Sequence, residues 1–189
     1  MKVVVIDDDP TGSQTVHSCP LLLRWDVDTL CRGLRHASPL LFLLADTRAL
    51  TPEDAAERNR SIAAALDQAL QREGLARDQV LLVSRGDSTL RGHGVVEPEA
   101  LQASFGPFDA TFHVPAFLEG GRTTVNGVHL LHGEPVHTTP FAQDRCLVSA
   151  AVIWPAGWRR KAMGPSPRLR CSGCLAGSSM PAVVRACRC

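Results

Sequence analysis

Three acidic residues stand side by side near the start of the chain, in Asp7-Asp8-Asp9-Pro10-Thr11-Gly12-Ser13-Gln14. Adjacent carboxylates repel one another, so each needs solvent, a cation or hydrogen-bond donors. At the end of a strand they can hold a metal, accept a proton from a substrate hydroxyl, or act as a nucleophile. Thr11 and Ser13 add hydroxyls, and Gly12 permits a tight turn. The plainer alternative is a polar turn that caps a helix, because Asp-Pro and Thr-Gly are ordinary turn dipeptides. A second cluster is Asp46-Thr47-Arg48-Ala49. Arg48 can grip a substrate carboxylate with both arms of its guanidinium, or simply pair with a neighbouring acid. The third cluster is the densest: Ser84-Arg85-Gly86-Asp87-Ser88-Thr89-Leu90-Arg91-Gly92-His93. That supply of guanidinium, carboxylate and hydroxyl groups suits an anionic polyol, where a mere connector needs far fewer. Its alternative is a capped helix start with local salt bridges, and His93 alone reads as structural. A fourth stretch, residues 115–127, can line the same crevice or form a glycine-rich loop and hairpin.

These clusters need elements to carry them. Residues 2–6 form a β-branched run that ends in acids, as a buried parallel strand ends at a loop. Residues 20–25, 39–45, 79–83 and 110–114 read as further strands. Residues 26–36 have helical spacing at Val27, Leu30, Cys31 and Leu34, with Asp26 as N-cap. Thr51-Pro52-Glu53-Asp54 is a strong helix start, and Gly74 is its stop. The face of that helix is Ala55, Ile62, Leu66 and Leu70. Another helix is expected near 97–105. Residues 123–131 alternate and meet His132-Gly133, which suggests a hairpin with 134–137. Strands alternating with helices predict an α/β fold: an open, mostly parallel sheet with flanking helices, Rossmann-like and three-layered. Ligands bind such sheets at the carboxyl ends of the strands. The first three clusters each follow a predicted strand, so all three should converge on one crevice.

The bulk composition narrows the function classes. With 44% hydrophobic and 21% charged residues the chain reads as globular. No apolar run reaches the ~20 residues that span a bilayer. No signal peptide is apparent, so a cytoplasmic location is the default expectation, with no membrane or nucleic-acid partner. The net charge of +1 averages two unlike segments. All 19 acidic residues lie in 1–144, together with 12 of the 20 basic ones. Residues 145–189 carry 8 basic residues, no acid and five of the seven cysteines. A composition boundary therefore falls near Arg145.

Taken in order, DDDPTGSQTV, TRAL, SRGDSTLRGH, PAFLEGGR and NGVH make residues 2–144 resemble the four-carbon acid sugar kinases. The resemblance implies an amino-terminal sugar-binding α/β domain followed by a nucleotide-binding domain. It implies ATP-dependent phosphorylation of a tetronate or 3-oxo-tetronate, with Mg²⁺ as the companion of ATP. Asp8 and Asp9 match the acidic pair before Thr-Gly, and one of them is the candidate for activating the substrate hydroxyl. Thr11 and Gly12 match the loop, and Arg48 matches the arginine after the third strand. Ser84, Arg85, Asp87, Ser88, Thr89, Arg91 and Gly92 match the signature loop, where the arginines would hold the sugar carboxylate. Asp46, Gly86 and Gly94 are mild departures, standing where Asn, Ser and an aromatic are expected.

The larger departure is the absence of the nucleotide-binding half. No glycine-rich loop with lysine appears, so neither ATP nor Mg²⁺ is expected to bind well and kinase turnover should be negligible. Residues 145–189 resemble no part of the family. Their expected origin is a frameshifted reading that leaves an unstructured tail. The alternative is a zinc site from Cys171, Cys174, Cys187 and Cys189. No metal site is expected in 1–144. Two rival functions remain. A haloacid dehalogenase-like phosphohydrolase would use Asp7 as nucleophile and Asp9 as acid/base, with magnesium. A stand-alone sugar-acid-binding domain would bind its small-molecule ligand without turnover, as a monomer or a homo-oligomer.

Overall fold

The structure is a computed structural model that describes residues 1–108, 110–143 and 184–185. Its main sheet has six strands in the order β2-β3-β1-β4-β9-β5. These are β1 (Lys2–Asp7), β2 (Leu21–Leu22), β3 (Leu40–Leu44), β4 (Val80–Arg85), β5 (Ala110–Thr111) and β9 (Val184–Arg185). β1 runs parallel to both β3 and β4, and β2 runs parallel to β3. β9 is antiparallel to β4 and to β5. Asp7 lies opposite Leu44 on one side and Arg85 on the other. The carboxyl ends of β3, β1 and β4 are therefore level, and the loops that follow them start side by side.

Three helices connect the strands: α1 (Val27–Arg35), α2 (Pro52–Glu73) and α3 (Val96–Phe105). α2 starts and stops where its sequence signals stand. The Thr51 hydroxyl accepts from the Asp54 amide at 3.1 Å, Pro52 opens the helix, and Gly74 closes it in the left-handed region at φ 68. Asp26 caps α1 through the Thr29 amide at 3.0 Å. Alternation along the strands sorts their side chains between two faces. Val4, Ile6, Leu41, Leu43 and Leu82 pack with Leu30, Ile62, Leu66, Leu70, Leu101 and Phe105 in the main core. Val5, Phe42 and Val83 point the other way and meet Val16 and Cys19 of the β1–β2 connection.

That division follows from topology. Right-handed crossovers from β2 to β3, β3 to β4 and β4 to β5 all move the same way across the sheet, so they lie on one face. The β1–β2 connection moves the opposite way and lies on the other face. The chain thus leaves β1 toward one side and leaves β3 and β4 toward the other. A crevice opens at such a reversal.

Some predicted elements are shorter than their sequence patterns. The run 20–25 pairs only at Leu21–Leu22, and 110–114 only at Ala110–Thr111. Residues 123–131 are not one strand. β6 (Arg122–Val125), β7 (Val128–Leu131) and β8 (Glu134–Pro135) form a separate antiparallel sheet. Its two-residue loops, Asn126-Gly127 and His132-Gly133, have positive φ at both positions. That is the turn geometry matching the twist of paired strands. Among the described residues no helix is long and apolar enough to cross a membrane. The boundary near Arg145 and the tail cysteines lie outside the described residues, as does the rest of the tail apart from β9.

Candidate functional site

The first two clusters are joined through the backbone before any side chain is considered. The Asp7 carbonyl accepts from the Ala45 amide at 2.8 Å, and the Asp8 carbonyl from the amides of Thr47 and Arg48 at 2.9 and 3.1 Å. The Asp8 amide in turn donates to the Arg85 carbonyl at 3.1 Å. Parallel pairing thus continues past the strand ends and holds the loops against one another. All three clusters meet in one crevice.

Within it, each of the three adjacent carboxylates has its own partner. Arg48 grips Asp8 with both arms, Nε to Oδ2 at 3.0 Å and Nη2 to Oδ1 at 2.8 Å. Its Nη1 lies 3.2 Å from Asp9 Oδ2. Arg85 reaches Asp7 more loosely, with Nη1 3.3 Å from Oδ2. Asp9 caps a short 3₁₀ helix, Pro10–Thr15, by accepting from the Thr11 amide at 2.8 Å and from the Thr11 hydroxyl. The capping turn and the charged site are therefore one structure.

Environment separates the three acids. Asp7 is fully buried, and burial raises its pKa to about 6, with Arg85 opposing and Asp8 reinforcing the rise. Burial also pushes Asp8 up, against the hydrogen bonds and charge of Arg48. For Asp9 partial burial is outweighed by the Thr11 hydrogen bonds and Arg48, so its carboxyl sits below the usual range. Asp9 is also the most exposed of the three, with 25% of its side chain accessible against 2% for Asp8 and 1% for Asp7. It is the carboxylate that a hydroxyl arriving from solvent can reach. Gly12 is fixed by space: a Cβ there would stand 1.6 Å from Arg85 Nη1 and 2.2 Å from Asp7 Oδ2.

The third cluster folds around Asp87. Its carboxylate accepts from Arg91 Nε at 2.6 Å, from the Arg91 amide at 3.3 Å and from the Thr89 hydroxyl. Burial opposes its ionisation, but these bonds hold Asp87 below the usual range. Thr89 and Ser84 are buried. Gly92 has φ 76 and passes close to Arg48 and Asp8, where a Cβ would come within 3.3 Å of each. His93 Nε2 donates to the Leu50 carbonyl at 2.8 Å, so His93 ties two loops together. Ser88 offers its carbonyl to His129 Nε2 at 2.7 Å, which docks the β6–β7 hairpin on this loop.

Several contributors were not among the candidate site residues, although Thr47 opens the TRAL string and His129 closes NGVH. The buried Thr47 hydroxyl donates to buried Glu97 Oε1 at 2.6 Å and links the β3–α2 loop to the start of α3. Arg58 Nη1 holds the Ala45 and Asp46 carbonyls, each at 3.0 Å. His129 is fully buried, and Phe141 carries the guanidiniums of Arg91 and Arg122 at 5.1 and 5.9 Å from its ring centre. Helical periodicity is the only signal that could have found Arg58. Thr47 and Glu97 are linked by a contact 50 residues apart in the chain, which no local pattern records.

The arrangement presents ionised carboxylate, guanidinium and hydroxyl groups at a strand-end crevice, which fits a small polar anion. Among the described residues no group of three or more His, Cys, Asp or Glu is arranged to hold a metal ion. The adjacent acids are tied instead to Arg48, Arg85 and Thr11. Asp7, the nucleophile of the phosphohydrolase alternative, is sealed behind Gly12 and Arg85.

Known proteins resemble this chain in sequence and in fold. The family model for a sugar-binding N-terminal domain matches residues 3–148. A D-erythronate kinase from Heliobacterium modesticaldum is 32% identical over 151 residues, covering 76% of this chain and 32% of the kinase. A crystal structure from Bordetella bronchiseptica, of a domain of unknown function with bound citrate and a domain-swapped dimer, superposes with a TM-score of 0.65 at 26% identity. That match covers 82% of this chain and 39% of the other. A Haemophilus influenzae protein shares the fold alone, with a TM-score of 0.58 at 15% identity over 85% of this chain and 39% of its own. The chain thus spans about a third of the length of the curated relative it matches. With the sugar-binding model covering most of its length and all three clusters in one crevice, the chain belongs to the four-carbon acid sugar kinase family, in the part that forms the sugar-binding N-terminal domain.

Proposed function

We propose that the crevice at the carboxyl ends of β1, β3 and β4 binds a four-carbon sugar acid of the D-erythronate type. The observation that carries this reading is the arrangement of the acids: Asp8 is locked by Arg48, while Asp9 stays ionised and accessible. Asp9 accepts a hydrogen bond from a substrate hydroxyl and takes its proton as that oxygen becomes a nucleophile. A carboxylate with a low pKa is a weak base, so orienting the hydroxyl is its larger contribution. Asp8 and Arg48 position Asp9 and the loop that carries it. Arg85 and Arg91, each partly exposed, offer further donors to the sugar, with Thr11, Ser84, Asp87, Ser88 and Thr89 shaping the crevice. Gly12 and Gly92 let the loops approach closely enough to build it.

Sugar-acid binding is the part of the family reaction that the described residues support. ATP and Mg²⁺ belong to the reaction that the D-erythronate kinase relative suggests, and a nucleotide-binding half would supply their site. The proposal is tested by calorimetric titration of the chain with D-erythronate, D-threonate and their 3-oxo analogues. At least one should bind and raise the melting temperature. Asp9→Asn should weaken that ligand roughly tenfold by replacing a charged acceptor with a neutral one. Failure of all these acids to bind the folded wild type would refute the reading.

A further inference from the structure

We infer that Arg122, at the start of β6, is the residue that recognises the sugar acid's carboxylate. The inference rests on the sugar-binding reading above and assigns it a residue outside the three strand-end clusters. The resemblance gave this task to the arginines of those clusters, but each of them is already engaged. Arg48 has both arms on Asp8 and also faces Asp9. Arg91 Nε is on Asp87 at 2.6 Å, and Arg85 faces Asp7. Arg48, with its whole fork on a buried carboxylate, has little left for a second one, while Arg91 through Nε and Arg85 through Nη1 are each turned partly to an acid of the chain.

Arg122 differs in each respect. No carboxylate among the described residues pairs with it, and its Nε is buried without a hydrogen-bond partner. A buried, unsatisfied donor on a charged group is costly and calls for an explanation, and a ligand that completes it is one. The guanidinium is also held in place. Its backbone pairs with Phe117 in both directions, at 2.8 and 3.0 Å. Its charge lies over the rings of Phe117 at 5.3 Å and Phe141 at 5.9 Å. Gly120 leaves the space, because a Cβ there would come within 2.1 Å of Arg122 Nη1.

Phe141 links Arg122 to the crevice. Arg91 stacks on the same ring at 5.1 Å while its Nε holds Asp87. Both guanidiniums thus lie within 6 Å of one ring centre, Arg91 belonging to the strand-end cluster and Arg122 to the hairpin. The hairpin is fixed against that cluster by His129, whose Nε2 donates to the Ser88 carbonyl and whose Nδ1 accepts from the Thr124 hydroxyl at 2.9 Å. On this assignment the four-carbon acid meets Asp9 through its hydroxyls and Arg122 through its carboxylate, on a guanidinium that no carboxylate of the described residues occupies and that is suited to bidentate binding.

The test compares D-erythronate with D-erythronamide, which keeps the hydroxyls and loses the charge. Calorimetry is run on wild type, Arg122→Met and Arg122→Lys. Arg122→Met keeps much of the stem that packs on the rings, so its unliganded melting curve should stay close to wild type. It should lose erythronate affinity by about 30-fold, the scale of a charge-assisted pair, with little change for the amide. Arg122→Lys should fall between, and it decides the question if the methionine variant does not fold. Unchanged erythronate binding by a folded variant would overturn the assignment and leave the sugar site standing. An equal loss for acid and amide would make Arg122 a structural stack and would also overturn it. A wild-type chain that binds neither compound would remove the sugar-site reading and this assignment with it.

Discussion

At the scale of single residues, Asp7 has the least access to water and the weakest partner of the three adjacent acids. Arg85 approaches it only to 3.3 Å, and burial holds its pKa at about 6, above the ordinary 3.8. The folded state therefore binds a proton that the unfolded chain has already released in that pH range. Stability from this group is fully present below pH ~4 and is lost as pH rises through about 6. Two pKa units correspond to about 3 kcal/mol. Asp7→Asn removes the titration while keeping the shape. Urea unfolding of both proteins from pH 7 to pH 4 should show wild type gaining about that much on the variant. Other acids titrate in both chains and cancel in the difference. A flat difference would show that Asp7 ionises normally and that Arg85 compensates fully for its burial.

At the scale of elements, the crevice depends on contacts between the loops that follow its strands. The bond from Thr47 to Glu97 is buried, and it fixes the β3–α2 loop to the first turn of α3. Thr47→Val keeps the volume and removes the hydroxyl, leaving a buried carboxyl oxygen without that donor. The expected cost is about 2 kcal/mol, read as a lower urea midpoint, with weaker erythronate binding because Arg48 rides on the same loop. A midpoint equal to wild type would mean that Glu97 finds another donor. The elements themselves were largely legible in the chain. Thr51, Pro52 and Gly74 mark α2 at both ends because capping chemistry is local. β1 and β3 show in their apolar runs because both of their faces are buried. The short strands were not legible, since how far Leu21 or Ala110 pairs is decided by a neighbour from elsewhere in the chain. The split of 122–131 was signalled by Asn126-Gly127, but alternation on either side of that turn made it look continuous. For the site, spacing identified the three clusters and topology their meeting point. Which arginine serves which acid was hidden, because Arg48 reaches back 40 residues and Arg85 reaches back 78.

At the scale of the whole molecule, the question is whether a sugar-acid site alone can transfer a phosphoryl group. Phosphoryl transfer works through positioning and positive charge around the phosphates and their metal ion. The chain has two lysines, Lys2 and Lys161. Lys2 donates to the carbonyls of His36 and Ser38, at 2.6 and 2.7 Å, at the amino end of β1. Five strand steps separate it from Asp7, about 17 Å along the sheet and at the edge opposite the crevice. The crevice arginines Arg48, Arg85 and Arg91 are turned to carboxylates of the chain itself. Phosphates added beside them would have to displace Asp8, Asp7 or Asp87, and each displacement leaves a buried acid uncompensated. The 189-residue chain should therefore bind D-erythronate and form no phosphorylated product with ATP and Mg²⁺. Incubation with labelled ATP, followed by separation of sugar phosphates, reads this directly, and a thermal scan checks that ATP alone leaves the melting temperature unchanged. Product formed at a steady rate by the purified chain would show that residues outside those described supply the missing charge. Sugar-acid binding without product would locate the division of labour in this family between a domain that selects the acid and a separate part that activates the phosphate.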